Sequence, residues 1–159
     1  MTTITFHQLV STDPEQINHK ICDLLFSFYN LKHHVYILCP DQEYMHELDE
    51  FIITYQATNF FPYQLLGEGP VPPASICLGT ETLHKLKCDI LINLSQAIPD
   101  NFKRYKKIIE FVPAEPELRD LARLHYKHYA KYNCPITTEQ AQVIEEIQEI
   151  PDLTAVTAE

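Results

Sequence analysis

Two amphipathic segments flank a short apolar run, and this arrangement constrains the fold more than any other feature of the sequence. The run Val35–Cys39 is continuous in apolar residues, as in a strand that is covered on both faces. Before it, apolar residues recur at helical spacing over residues 14–30, behind a good N-cap residue at Asp13. After it, a second helical pattern covers residues 40–54. The alternation predicts a single-domain α/β fold with a mostly parallel sheet and helices on both faces.

The rest of the chain continues this pattern up to its acidic end. The alternating segment Ile4–Leu9 predicts an edge strand or a half-buried one. Residues 60–63 and 67–73, which are rich in proline, glycine and aromatic residues, predict a loop. Three further strands are predicted over residues 75–78, 89–94 and 107–112, and a last helix runs from Pro116 to about Asn133. We expect one domain over residues 1–138, followed by an acidic tail over 139–159 that forms at most a short helix and is otherwise disordered.

The sequence lacks the patterns on which most α/β proteins rely for chemistry. Its three glycines are Gly67, Gly69 and Gly79, and none lies in the turn between the first strand and the first helix. It has neither a P-loop nor a GxSxG nucleophile motif. We therefore expect a nucleotide-binding-like topology without a nucleotide site, no cofactor and no catalytic residue.

Metal chemistry has equally weak support. The five cysteines are scattered, with none at metal-site or disulfide spacing. His125 and His128 are three residues apart on the predicted helix and could share a ligand, although surface or half-buried histidines are the simpler interpretation. We expect no metal site.

The N-terminus and the apolar runs bear on location. The first residues show neither a basic segment nor an apolar core typical of a signal peptide, and no apolar run reaches the ~18 residues of a membrane helix. The expectation is a cytoplasmic protein that does not contact a membrane.

Charge is unevenly distributed along the chain, whose formal net charge is −10. Residues 1–100 carry four basic and twelve acidic side chains, whereas residues 101–131 carry eight basic and four acidic ones. Residues 132–159 carry six acidic side chains and no basic one. On the last helix, four cations recur every four residues and form what we call the basic stripe: Arg119, Arg123, Lys127 and Lys131.

The basic stripe has three interpretations. A solvated charged face is the simplest. The second interpretation is a binding site for the carboxylate group of a hydrophobic residue. It is favoured because arginine binds a carboxylate through two parallel hydrogen bonds, and because Tyr126 and the strand end Phe111–Pro113 offer apolar surface nearby. Direct binding of single-stranded nucleic acid through residues 103–131 is the alternative, which the acidic remainder of the chain disfavours. On the neighbouring face of the same helix, we expect these residues to pack inward: Leu118, Leu121, Ala122 and His125.

Several motifs in order resemble the chi subunit family of bacterial DNA polymerase III. The resemblance covers roughly residues 4–138, and its combination of motifs is specific although no single one is. The matching stretches are Leu48–Glu50, Asn59–Tyr63, Leu66–Pro70, Asp89–Leu94, Phe111–Pro113 and Leu121–Lys127.

The resemblance implies a non-catalytic accessory subunit of a DNA polymerase (nucleotidyltransferase) complex in the cytoplasmic, nucleoid-associated replisome. Chi-like proteins bind the acidic, Phe-ending C-terminal tail of single-stranded DNA-binding protein (SSB), so nucleic acid is contacted only indirectly. The tail-binding positions of the family fall on Val112, Arg119, Arg123, Tyr126 and Lys127. By this resemblance Arg123 takes the terminal carboxylate, Val112 and Tyr126 form the apolar pocket, and Arg119 and Lys127 steer the acidic residues.

The second partner that the resemblance implies is the psi subunit, which ties chi to the clamp loader. The psi-binding positions fall on Ile53, Phe60, Phe61 and Pro62, with the loop up to Pro70 nearby. Some relatives carry tryptophan at the position of Ile53, so the anchor at this position is smaller here.

Overall fold

The fold is a layered α/β structure in a computed structural model that describes residues 1–69, 74–82 and 88–141. In chain order its strands and helices are β1 (Thr3–Leu9), α1 (Pro14–Asn30), β2 (Val35–Leu38), α2 (Gln42–Tyr55), β3 (Tyr63–Leu65), β4 (Ile76–Gly79), β5 (Ile90–Asn93), a short 3₁₀ helix (Phe102–Arg104), β6 (Lys107–Val112), α3 (Pro116–Lys131) and β7 (Ile136–Ala141).

The seven strands of the described residues form one parallel sheet in the order β3-β4-β2-β5-β6-β1-β7. Because the strands are parallel, their carboxyl ends share one edge of the sheet, which we call the carboxyl edge. The helix α3 connects β6 to β7, which lie on either side of β1, and it begins at this edge with Pro116. The predicted α/β fold with a parallel sheet is confirmed.

Two apolar clusters cover the two faces of the sheet. The first packs α1 and α2 onto one face and includes Leu25, Leu48 and Ile37. The second packs α3 and the 3₁₀ helix onto the other face and includes Phe102 and Tyr129. Successive residues of β2 point to opposite clusters, as the pleat requires, and the predicted coverage of this strand on both faces is confirmed.

Helix starts follow the sequence signals closely. The carboxylate of Asp13 accepts a hydrogen bond from the backbone N–H of Glu15 at 3.0 Å, and that of Asp41 accepts one from Tyr44 N–H at 2.8 Å. Both are N-caps that satisfy an amide of the first helical turn. The helix α3 begins without a side-chain cap, with Pro116 in its first turn.

The structure corrects three expectations about the strands. β1 is not at an edge, because it lies between β6 and β7 with most of its residues buried. Tyr63–Leu65, within the segment expected to be a loop, is the edge strand β3. Residues 136–141 form β7, which was not among the predicted strands. The remainder of the expected tail, residues 142–159, lies outside the described residues.

Candidate functional site

The basic stripe lies on the solvent side of α3. Arg119, Arg123, Lys127 and Lys131 are all exposed. The predicted inward packing is confirmed for Ala122 and His125, and Leu121 is half-buried. It is wrong for Leu118, which is 51% exposed because it lies in the first turn of α3, beyond the end of the sheet.

Each arginine of the basic stripe has one defined contact. The guanidinium of Arg119 donates from Nε to the carbonyl oxygen of Pro113 at 3.1 Å, which holds this side chain beside the end of β6. Arg123 donates from Nη1 to Oδ1 of Asp120 at 2.7 Å. Both partners of that ion pair are more than two-thirds exposed, so water screens the pair and an incoming carboxylate can replace it at little cost.

An apolar patch adjoins the arginines. Tyr126 is 38% exposed, and its ring centroid is 5.7 Å from that of Phe6 on β1. Val112 is half-buried and packs on the same cluster as Phe6. Because Tyr126 follows Arg123 by three residues and Arg119 by seven, these side chains share one flank of α3. Arg119, Arg123 and Tyr126 thus lie on one flank of α3, with Lys127 one position further round the helix. Arg119 contacts Pro113, the residue after Val112.

The other predicted surface lies at the end of α2. Ile53 is 61% exposed and Phe60 is 64% exposed, whereas Pro62 is half-buried. Phe61 is fully buried between Tyr55 and Tyr63, with ring centroids 6.2 Å from each. The Phe61 side chain therefore cannot contact a binding partner directly, and it can act only by holding Phe60 toward solvent.

Hydrogen bonds fix the turn that presents Phe60. The Gln56 side chain donates to the carbonyl oxygen of Phe61. Asn59 donates to the Tyr55 hydroxyl at 3.2 Å, and that hydroxyl donates to Asp23 on α1 at 2.7 Å. The exposed aromatic ring is therefore carried by an anchored turn.

A buried polar cluster beneath α3 was not anticipated as a unit. Glu110 on β6 accepts hydrogen bonds from Asn93 at 2.9 Å and from the Tyr129 hydroxyl at 2.6 Å. Its other oxygen lies 3.0 Å from Nδ1 of His125, whose Nε2 donates to the carbonyl oxygen of Gln96 at 2.9 Å. All four residues are at most 6% exposed. The cluster ties α3 to two strands and so positions the basic stripe.

Glu110 also influences the pKa of His125. Burial lowers the pKa of His125, but the hydrogen bond and the negative charge of Glu110, helped by the Gln96 carbonyl, raise it more, so the net pKa lies above its ordinary value. His128, three residues further on, packs against the rings of Phe102 and Tyr132 instead. The two histidines therefore do not converge on one ligand.

The carboxyl edge holds a cavity of about 220 Å³ at the place where nucleotide-binding folds take their ligand. Its polar lining includes Asn93, Ser95, Glu110 and His125, and these groups bond to one another or to backbone. The remaining lining is mainly apolar, including Phe111 and Leu121. A buried carboxylate repels phosphate, so this lining does not favour a nucleotide.

Neither metals nor reactive thiols are suggested by the described part of the chain. Residues 1–69, 74–82 and 88–141 contain no cluster of three or more His, Cys, Asp or Glu that could hold a metal ion. Burial raises the pKa of the thiols of Cys22, Cys39 and Cys88 to about 12, so they are neutral at pH 7. Among the helices described, none is long and apolar enough to cross a membrane.

Comparison with known proteins identifies the family of the chain. The family model described as DNA polymerase III chi subunit, HolC, matches residues 1–137. A DNA polymerase III subunit chi from Haemophilus influenzae is 31% identical over 140 residues, covering 86% of this chain and 96% of the relative. The subunit from Escherichia coli is 30% identical over 114 residues, covering 71% and 78%. That from Pseudomonas aeruginosa is 27% identical over 136 residues, covering 86% and 94%. The chain therefore belongs to the DNA polymerase III chi subunit family.

Proposed function

We propose that this replication accessory subunit is an adaptor that binds the acidic C-terminal tail of SSB through α3 and the psi subunit of the clamp loader through the end of α2. The observation that supports it best is the placement of the two exposed surfaces. The stripe helix α3 packs on one face of the sheet, and α2, with Ile53, packs on the other. Two partners can therefore bind at once without overlapping.

The tail site combines charge with an apolar patch. Arg123 offers two parallel N–H donors to a terminal carboxylate once it releases Asp120. Tyr126 and Val112 offer apolar surface to the last side chain of the tail, and Arg119 and Lys127 attract its acidic residues. The adaptor itself performs no catalysis in this proposal, requires no cofactor and works in the bacterial cytoplasm.

Titration of the full chain with an acidic peptide ending in Asp-Phe tests the tail site. Arg123→Ala should weaken binding at least about tenfold, because a charge-assisted bidentate contact is lost. Asp120→Asn should strengthen binding, because it frees Arg123 and removes a negative charge beside it. Lys131→Ala, at the far end of the stripe, is the matched control and should change affinity little. An affinity that is the same in all four proteins would refute the site.

The psi surface has its own variant. Phe60→Ala should weaken binding of the psi subunit strongly, because a large exposed ring is the kind of residue that anchors interfaces. Leu31→Ala, which removes a side chain of similar exposure at the end of α1, is the control. Equal losses from both variants, or no loss from Phe60→Ala, would exclude this surface.

Direct binding of single-stranded nucleic acid is a second candidate. It is favoured by the Lys103 ammonium, which lies 4.5 Å from the centroid of the half-exposed Tyr132 ring, close to the end of the stripe. A basic side chain beside an aromatic ring is typical of single-strand sites. A gel shift with an oligonucleotide at moderate salt should show no complex if the chain is an adaptor. A shift that Lys103→Ala abolishes would favour the second candidate.

A further inference from the structure

The described chain ends at the same edge of the sheet at which α3 and its basic stripe begin. β6 ends with Val112 and β7 ends with Ala141, both at the carboxyl edge, where α3 also begins. Gln8 of β1 pairs with Val112 on one side and with Gln140 on the other. Two strand spacings separate Gln140 from Val112, which is about 10 Å. The last described residues therefore lie close to Val112, which belongs to the apolar patch of the tail site.

The sequence that follows Ala141 has the chemistry of a ligand for that site. It contains no basic residue and combines apolar residues, among them Val143, Ile147 and Leu153, with five acidic ones: Glu145, Glu146, Glu149, Asp152 and Glu159. The basic stripe carries four cations. Within the described part of the chain, the Arg123–Asp120 contact is the one ion pair that a stripe cation makes.

Length permits the contact. The helix α3 is 16 residues long, which corresponds to about 24 Å at 1.5 Å per residue. Residues 142–159 could extend to roughly 60 Å at about 3.3 Å per residue. The segment can therefore turn back from Ala141 and still reach any cation of the stripe.

We propose that residues 142–159 are an internal acidic ligand of the basic stripe and that they compete there with acidic tails of partner proteins. Tethering gives the segment an effective concentration of order millimolar at the stripe, so even a weak contact reduces the apparent affinity for an external tail. The occupant is the chain's own segment, and charge complementarity selects it. This inference rests on the proposed function for its consequence, but the contact itself does not depend on that function.

The test compares two full-length variants of identical net charge. In E145Q/E146Q/E149Q the segment loses three acidic side chains. In the control, E43Q/E47Q/E50Q, three exposed acidic side chains are lost from α2 on the opposite face of the sheet. Affinity for the Asp-Phe peptide should rise about fivefold or more in the first variant and by much less in the control. The gain should shrink as salt rises.

Amide chemical shifts separate this inference from the proposed function. Relative to the unmodified chain, E145Q/E146Q/E149Q should shift the amide signals of Arg119, Arg123 and Lys127, and E43Q/E47Q/E50Q should not. Unchanged stripe signals, or an equal affinity gain in both variants, would overturn the internal ligand even if the peptide binds. If the peptide binds no variant while the stripe signals shift, the internal contact stands and the tail-binding function fails.

Discussion

Replacing Glu110 with alanine removes an acceptor that three buried side chains share. Asn93, His125 and Tyr129 each lie within 3.0 Å of its oxygens. Removing one partner of a buried ion pair costs about 3–5 kcal/mol, because the remaining groups are left without partners. Water entering the adjoining cavity of about 220 Å³ can replace some of these bonds, which keeps the loss from reaching the sum of three. We expect Glu110→Ala to lower the free energy of unfolding by about 3–5 kcal/mol.

Glu110→Gln is the informative companion because its amide fits the same geometry. Its oxygen can accept from Asn93 and Tyr129, while its nitrogen donates to Nδ1 of a neutral His125. Nε2 of His125 still donates to the Gln96 carbonyl. Every named group keeps a partner, so the loss should be only about 1 kcal/mol, the net value of an ordinary hydrogen bond.

The pH dependence gives a second readout of the same cluster. The pKa of His125 is raised in the folded protein, so its stabilising contribution is complete below the unfolded pKa of about 6.5 and is lost as pH rises through the folded pKa. The difference in unfolding free energy between the unmodified chain and Glu110→Gln should therefore be larger at pH 6 than at pH 8.

Urea denaturation at pH 6 and pH 8 measures these quantities, with Glu50→Ala on the exposed side of α2 as the control. A decrease in the free energy of unfolding of less than about 1 kcal/mol in Glu110→Ala would contradict the proposed role of Glu110, since removing one partner of a buried ion pair should cost more. That role is also refuted if Glu110→Gln is as unstable as Glu110→Ala, or if the gap to the unmodified chain widens at pH 8.

Three further predictions concern the core. Burial lowers the pKa of His7, and its Nδ1 has no hydrogen-bond partner among the residues that the structure describes, so stability should fall as pH drops below about 6.5. His7→Phe should flatten this acid limb in denaturation curves; an unchanged slope would contradict it. Leu48→Ala should lower the free energy of unfolding by about 2–5 kcal/mol, because Leu48 is buried. Leu124→Ala, at a position that is 62% exposed, should change it by no more than about 0.5 kcal/mol. Similar losses in the two variants would contradict the packing. Gly79→Ala would place a Cβ 2.3 Å from the Tyr36 hydroxyl and should lower the free energy of unfolding by about 1–3 kcal/mol. Adding Tyr36→Phe should restore part of that stability; no recovery would point to another cause.

Local sequence signals were sufficient for the helices and most strands. Capping at Asp13 and Asp41 and apolar periodicity act within a few residues, so they identify α1 and α2 without knowledge of the tertiary structure. The two missed strands depend on distant partners instead. Tyr63–Leu65 becomes β3 by pairing with β4, and Ile136–Ala141 becomes β7 by pairing with β1. Because β7 pairs with β1, β1 is an internal strand, although its alternating sequence favoured an exposed position.

In the candidate site, too, features set by local sequence were predictable, whereas features that depend on distant residues were not. Spacing of four identified the basic stripe, because helical geometry alone brings Arg119, Arg123 and Lys127 to one side. The Glu110–His125 pair was not foreseen, because its partners are 15 residues apart and meet only when α3 packs on the sheet. The direct pairing of Arg123 with Asp120 was also not foreseen, because it depends on the side-chain conformations that the two residues adopt.

Simultaneous binding of both partners is the most direct test of the adaptor. The full chain, the psi subunit and SSB should be mixed and their assembly followed by sedimentation or size-exclusion chromatography. We expect a ternary complex of the chain, psi and SSB. Arg123→Ala should abolish binding of SSB but not of psi, and Phe60→Ala should abolish binding of psi but not of SSB. Displacement of SSB by psi, or loss of both partners from either substitution, would contradict two independent surfaces on opposite faces of the sheet.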